Sequence, residues 1–205
     1  MSVITKLEIQ NKDKSRCNVY IDGEFSFGLF IEIAMKYGLK KDREIFSDEI
    51  EKIKTEDEQR YALLLANKYL SKSLKTKKQV VDYLFSKQLS PKSVYYAVDK
   101  LKEYGYINDE EYAKRYMETY SSTNGKRLLD YKLMMKGIKK DDISAAREGY
   151  SDNDKENAVY IAKKRLKNKD ITKENIAKTY RYLVGKGFSY EDAEYALREF
   201  KEQLK

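Results

Sequence analysis

This sequence predicts a mainly α protein: three tandem three-helix repeats forming an elongated curved rod, preceded by a small N-terminal β-hairpin and helix module. Three observations lead there. One phrase is written three times, as LFSKQLSPKSVYYAVDKL at 84–101, LMMKGIKKDDISAAREGY at 133–150 and LVGKGFSYEDAEYALREF at 183–200. The copies align without a gap: Leu84, Leu133 and Leu183 stand 49 and 50 residues apart, as do Lys87, Lys136 and Lys186, and Ala97, Ala146 and Ala196. Second, one proline and nine glycines in 205 residues leave few helix breaks. Third, 37% charged residues and a mean hydropathy of -0.80 call for much solvated surface around a thin interior.

The first 30 residues instead alternate with period two. Val3, Thr5, Leu7 and Ile9, then Val19 and Ile21, predict strands, and Asp22-Gly23 marks a two-residue hairpin turn before Phe25, Phe27 and Leu29. The expectation is an antiparallel sheet of two or three strands, then a short helix over 30–37 stopped by Gly38. A long helix begins at Ser47, with Ile50, Ile53, Tyr61, Leu64, Leu65, Lys68 and Tyr69 along one face. The chain thus divides into a module at 1–56 and repeats at 57–106, 107–152 and 153–205, rigidly joined near residues 55–58.

Two repeats open alike. Asn108-Asp-Glu-Glu111 and Asn153-Asp-Lys-Glu156 place Asn at an N-cap with Glu three residues on, the capping-box pattern. The first repeat has Asp57 and Arg60 in those places, so its opening helix is read as a continuation from Ser47. In the second repeat a helix from Asp109 breaks at 121–125, a second runs to Lys136 with Gly137 as left-handed cap, and a third reaches about Gly149. Gly187 repeats the cap and Ser189 starts the next helix. Gln88 occupies the glycine position of the first copy, which requires a strained residue or a different turn, while Ser90-Pro91 is a good helix start.

The side chains of catalysis are scarce. Histidine is absent and Cys17 is alone, which removes the usual proton-transfer group, a disulfide, a CxxC metal site and a Cys/His pair. Cys17, in the strand-like CNVYID, reads as a small buried residue. Asp141-Asp142 and Glu191-Asp192 fall in first helical turns, where acids stabilise the helix. Neither a P-loop nor a metal motif occurs, so no enzyme activity and no cofactor is expected. Without a run of 18 apolar residues or a signal-peptide core, the expectation is a soluble, cytoplasmic protein with no membrane partner.

Charge points to the partner. Residues 1–60 hold 11 basic and 13 acidic side chains, whereas residues 61–205 hold 31 and 21, so the repeats carry the entire positive excess of this +8 chain. A basic repeated surface suits nucleic acid or an acidic protein surface. Candidate contacts fall in three clusters: Lys68, Lys72, Lys75, Lys77 and Lys78; Lys126 and Arg127, where free amides at a helix start would also favour anions; and Lys163, Lys164, Arg165, Lys167 and Lys169. Taken singly, such lysines are ordinary solvated residues; recurrence at equivalent repeat corners is what recommends them. Tyr83, Tyr96, Tyr131 and Tyr182 are candidates to stack on bases, although such residues more often fill the boundary of a thin helical core with the ring buried and the hydroxyl wet, while Tyr61, Tyr112, Tyr116 and Tyr160 lie on expected core faces. The alternative reading these residues leave open is a stand-alone, sequence-independent single-stranded nucleic-acid binder.

GYINDEEYA at 105–113, GKRLLDYKLMMKGI at 125–138 and LVGKGFSYEDAEYAL at 183–197 resemble the RecX family, regulators of the bacterial RecA recombinase. The resemblance runs over residues 60–205, and the N-terminal hairpin and helix are similar to longer members. The stretch after the first helix, usually rich in arginine and serine in that family, reads SLKTKKQ here, and Gln88 stands where glycine is usual. The resemblance implies a non-enzymatic, monomeric modulator. Such a protein lies in the groove of a RecA filament on single-stranded DNA, bridges protomers and restrains ATP hydrolysis, strand exchange and coprotease activity, with direct DNA contact secondary.

Overall fold

The structure, a computed structural model, describes residues 2–148 and 153–203. Its chain forms two compact units, Met1–Ser73 with Val80–Tyr106, and Leu74–Gln79 with Ile107–Lys205.

The first unit opens with an antiparallel sheet of four strands, β1 (Ser2–Ile9), β2 (Arg16–Ile21), β3 (Glu24–Phe30) and β4 (Glu44–Ile45), in the order β3-β2-β1-β4. The turn at Asp22 and Gly23 has positive φ at both residues, as the hairpin signature requires. The fourth strand is beyond the expected two or three; with two residues it has no alternation to read. Strand β1 forms where the alternation predicts it, but the odd positions do not all face one side. A register shift between Ile4 and Lys6 interrupts the alternation: Ile4 is fully buried before it, Leu7 packs against the same core after it, and Ile9 at the strand end is 56% exposed.

Helix α1 (Ile31–Lys36) follows and ends at Gly38 in the left-handed region. Next, α2 (Ser47–Leu70) runs without a break through Asp57, as the missing cap pattern implied. Its Ile53 completes the core formed by Ile4, Val19, Leu29, Ile33 and Ile45, with Cys17 buried beside them. Farther along, Ala62 and Ala66 are fully buried, and these small residues let α4 (Pro91–Glu103) approach with Val94, Ala97, Val98 and Leu101. Tyr61 faces partly outward, against expectation, because the alanines and not the tyrosine form the contact stripe.

Asp57 occupies the place that Asn108 and Asn153 hold in the later repeats. With the helix continuing on its N-terminal side it has no cap to make. It is buried instead, accepting the Phe30 amide at 2.7 Å and the Arg16 guanidinium at 2.8 Å. Helix α3 (Lys77–Phe85) leads to Gln88, which does adopt φ +60°, so the first copy keeps the glycine-type turn and tolerates the strain. Ser90 then caps α4 as expected, accepting the Ser93 amide.

In the second unit the second repeat comprises α5 (Asp109–Tyr120), α6 (Lys126–Met135) and α7 (Lys140–Arg147), packed around Ala113, Met117, Leu133, Ile138, Ile143 and Ala146. Tyr112 and Tyr116 pack against that core as expected. The third comprises α8 (Asp154–Leu166), α9 (Lys173–Gly185), α10 (Tyr190–Ala196) and α11 (Arg198–Glu202) around Ala158, Ala162, Leu183, Phe188 and Leu197. Gly149, the expected end of α7, and Tyr150, the repeat equivalent of Leu101 and Phe200, lie outside the described residues.

The capping expectations divide. Asn108 accepts the Glu111 amide at 3.0 Å, but Glu111 turns to Arg115 at 2.6 Å rather than back to the cap. The Asn153 side chain makes no bond of the capping kind to α8. Gly137 and Gly187 are left-handed caps and Ser189 accepts the Asp192 amide at 2.9 Å, as read from the sequence. Tyr160, expected in the core, is 64% exposed, since Ala158 and Ala162 again form the buried stripe.

Candidate functional site

The three basic clusters sit where second helices begin or first helices end. Lys68, in the last turn of α2, and Lys72 beyond it are exposed in the first unit. Lys75, Lys77 and Lys78 belong to the second unit, and the last two take part in a joint. There Thr76 donates its hydroxyl to the Lys136 carbonyl at 2.8 Å, and the Lys77 amide donates to the Asp109 carboxylate at 2.8 Å. A side chain placed on Gly137 would strike the Lys78 methylenes, so only glycine leaves room for this contact.

The same joint is repeated 49 residues on. Gly125 donates its amide to the Lys186 carbonyl at 2.9 Å, Lys126 to the Asp154 carboxylate at 2.8 Å and Arg127 to the Gly187 carbonyl at 3.2 Å. These bonds correct one expectation: the amides at the start of α6 are not open to an external anion, because the third repeat already occupies them. The side chains of Lys126 and Arg127 remain exposed, with the Arg127 guanidinium 5.5 Å from the Tyr190 ring centre.

Asp109 and Asp154 stand four residues before Ala113 and Ala158, and the matching acid before Ala62 is Glu58. In the first repeat it turns to its own repeat, accepting both hydroxyls of Ser90 and Ser93 and the Ser90 amide. Burial works against its charge, but these three donors outweigh it and hold the carboxyl below the ordinary glutamate range.

In the third cluster Lys163 pairs with Glu199 at 3.4 Å, while Lys164, Lys167 and Lys169 are exposed around the end of α8. Arg165 does not project freely. Its guanidinium lies 4.1 Å from the Tyr182 ring centre. Tyr83 is likewise covered, stacked on Tyr69 at 4.2 Å and 9°. Of the four tyrosines proposed for base stacking, Tyr96 and Tyr131 are more open, the latter 56% exposed.

Cations outside the three clusters also stand over tyrosine rings. Lys87 lies over Tyr83 at 5.2 Å, Lys136 over Tyr116 at 5.6 Å and Lys186 over Tyr182 at 5.6 Å. Their signal was present in the sequence, since these three lysines recur at one position of the repeat. Burial raises the Tyr116 hydroxyl above its ordinary value against the pull of Lys136.

Among the described residues no group of three or more Cys, Asp and Glu could hold a metal ion, and burial pushes the Cys17 thiol up, away from the reactive thiolate. No helix is long and apolar enough to cross a membrane among those residues.

Comparisons with known proteins agree with the repeat reading. Family models match residues 2–46 as "Regulatory protein RecX N-terminal domain", 108–146 as "RecX, second three-helix domain" and 152–197 as "RecX, third three-helix domain". The "Regulatory protein RecX" of Clostridium botulinum (strain Alaska E43 / Type E3) is 33% identical, covering 93% of this chain and 92% of its own. That of Bacillus subtilis (strain 168) is also 33% identical, over 93% of this chain and 74% of its own. Among solved structures, a "Crystal structure of regulatory protein RecX" superposes with a TM-score of 0.73 at 27% identity, covering 98% of this chain and all of the other. The "Crystal structure of RecX from Lactobacillus salivarius" gives 0.63 at 28% identity, over 71% of this chain and 97% of the other. Repeat pattern, local caps and relatives converge: the chain belongs to the RecX family of regulatory proteins.

Proposed function

We propose that this chain is a negative regulator of the RecA recombinase. As a monomer it occupies the groove of a RecA filament on single-stranded DNA, touches neighbouring protomers with successive repeats, and restrains ATP hydrolysis, strand exchange and coprotease activity. The observation that carries this reading is membership of a family of regulatory proteins across 93% of the chain. Physical features support it. Repeated units with exposed cations offer several weak contacts, and several weak contacts to one polymer multiply. A chain of net charge +8 is drawn to a filament carrying DNA phosphates. Base stacking as the main activity is disfavoured, because Tyr69 and Arg165 already cover Tyr83 and Tyr182.

The test is a titration of RecA ATPase on single-stranded DNA. Hydrolysis is expected to fall at amounts of this chain well below those of RecA. A rate unchanged at several salt concentrations would overturn the reading, and a raised rate would reverse its sign. Lys75, Lys77 and Lys78 changed together to Glu are expected to weaken filament binding while the helical circular-dichroism signal survives; unchanged affinity would show that they make no filament contact.

A further inference from the structure

We propose that a groove on the third repeat, lined by α9, α10 and α11, receives an acidic amphipathic helix of a protein other than RecA. The proposal goes beyond the filament reading and does not depend on it, since none of the side chains lining the groove is among the candidate filament contacts. The groove has a volume of about 700 Å³, within the roughly 300–1,000 Å³ of ligand-binding clefts. Ile176, Ala177 and Tyr180 supply its apolar surface, with Lys173 before them and Arg181 after them on α9. This spacing of three and four residues puts all five on one stripe of the helix, apolar in the middle and cationic at both ends.

The position of the groove in the repeat shows what such a surface receives. In each earlier repeat the start of the second helix takes the repeat that follows: the Lys77 amide holds Asp109 and the Lys126 amide holds Asp154. The entering group is thus an acid in the first turn of a helix. Ile176 and Ala177 stand 50 residues after Lys126 and Arg127, at the same place in the pattern. Here the backbone cannot repeat the joint, because α9 begins already at Lys173. The Asn175 amide donates to the Thr172 hydroxyl at 3.2 Å and the Ile176 amide to the Thr172 carbonyl at 3.0 Å. Cationic side chains take the place of the filled amides.

Charge selects the occupant. The lining holds three cations and one carboxylate, Glu194, which is already paired with Lys201. Among the described residues Lys173 and Arg181 make no ion pair, in contrast to Lys178 on the same helix, which pairs with Glu174 at 2.7 Å. An apolar stripe between two such cations complements a helix with apolar side chains on one face and carboxylates beside them. A second copy of this chain is a poor occupant. Its first repeat cannot enter as the later repeats do, because Glu58 is held by Ser90 and Ser93 and Gln88 replaces the glycine that leaves room at Gly137 and Gly187.

The probe is a fluorescein-labelled peptide of about 15 residues, long enough to fold as a helix when bound, with Leu on one face and Glu elsewhere. Fluorescence anisotropy with the full chain is expected to show saturable binding, and a peptide of the same composition with its leucines scattered is expected to bind weakly. Ala177→Glu, which puts a like charge into the groove, should weaken binding about tenfold. Arg181→Gln should weaken it roughly threefold and Arg181→Lys restore it, while Lys164→Gln, outside the groove, has no effect. Circular dichroism checks that each variant is folded.

No binding of the helical peptide, equal binding of the scattered one, or full affinity in the folded Ala177→Glu and Arg181→Gln variants overturns the proposal. Displacement of the peptide by an equal concentration of oligothymidylate overturns it as well, by assigning the groove to nucleic acid. The RecA titration keeps the two readings apart. Ala177→Glu is expected to restrain ATPase as the unsubstituted chain does; loss of that restraint gives the groove to the filament and overturns the proposal. A chain that binds the peptide but leaves RecA unaffected supports the groove and overturns the filament reading alone.

Discussion

Gln88 shows how a single residue departs from its own repeat. Gly137 and Gly187 take the left-handed turn freely, and Gln88 takes the same turn at φ +60° with its side chain exposed. Gln88→Gly is therefore expected to stabilise the fold by about 0.5–1 kcal/mol, read as a higher urea midpoint. Asp57 is the opposite case. Its substitution by Ala strands the Phe30 amide and leaves the Arg16 guanidinium on the Gly28 carbonyl without its carboxylate, and the expected loss in the same measurement is about 3 kcal/mol. Glu58 adds a pH dependence. Because its folded pKa lies below the unfolded one, its contribution is complete above the ordinary value near ~4.3 and is lost as pH falls through the folded value. The stability gap between the protein and Glu58→Gln should accordingly narrow from about pH 5 to pH 3; a gap that widens on acidification would contradict these contacts.

Among the elements, the helices were largely legible because their punctuation is local. Ser90-Pro91, Asn108, Gly137 and Ser189 each act within one turn, and each behaves as its residue type dictates. Strand β1 was legible as a strand but its bulge was not, because a bulge leaves no mark in an alternating pattern and the register is set by the partner strand. The joint between repeats lies beyond local reading for the same reason: Gly125 resembles a loop glycine, yet a Cβ there would stand 2.4 Å from the Phe188 amide nitrogen. Gly125→Ala is expected to cost about 2–3 kcal/mol by opening this contact. Gly185→Ala, on the open face of α9, should instead stabilise by up to about 1 kcal/mol. Thermal unfolding of the two variants side by side checks both signs.

For the molecule as a whole, the uneven charge decides where a polyanion is met. Net -2 over residues 1–60 against +10 over the rest directs it to the repeats. Neutralising Lys164, Lys167 and Lys169 should lessen the salt dependence of polyanion binding, whereas neutralising Lys12 and Lys14 in the β1–β2 turn should leave it unaltered; equal effects in the anisotropy assay would refute a contact confined to the repeats. The candidate site was legible to this extent only. Composition and spacing determined the helical repeats, the basic character of residues 61–205 and the recurring lysine at 87, 136 and 186, because periodicity and charge are written residue by residue. Tertiary structure alone decided that the amides at Lys126 and Arg127 are filled by Asp154 and Gly187, and that Arg165 and Lys186 share one tyrosine ring. Those contacts join helices distant in the chain, and packing of their alanine-lined cores, not any local signal, sets which side chains meet.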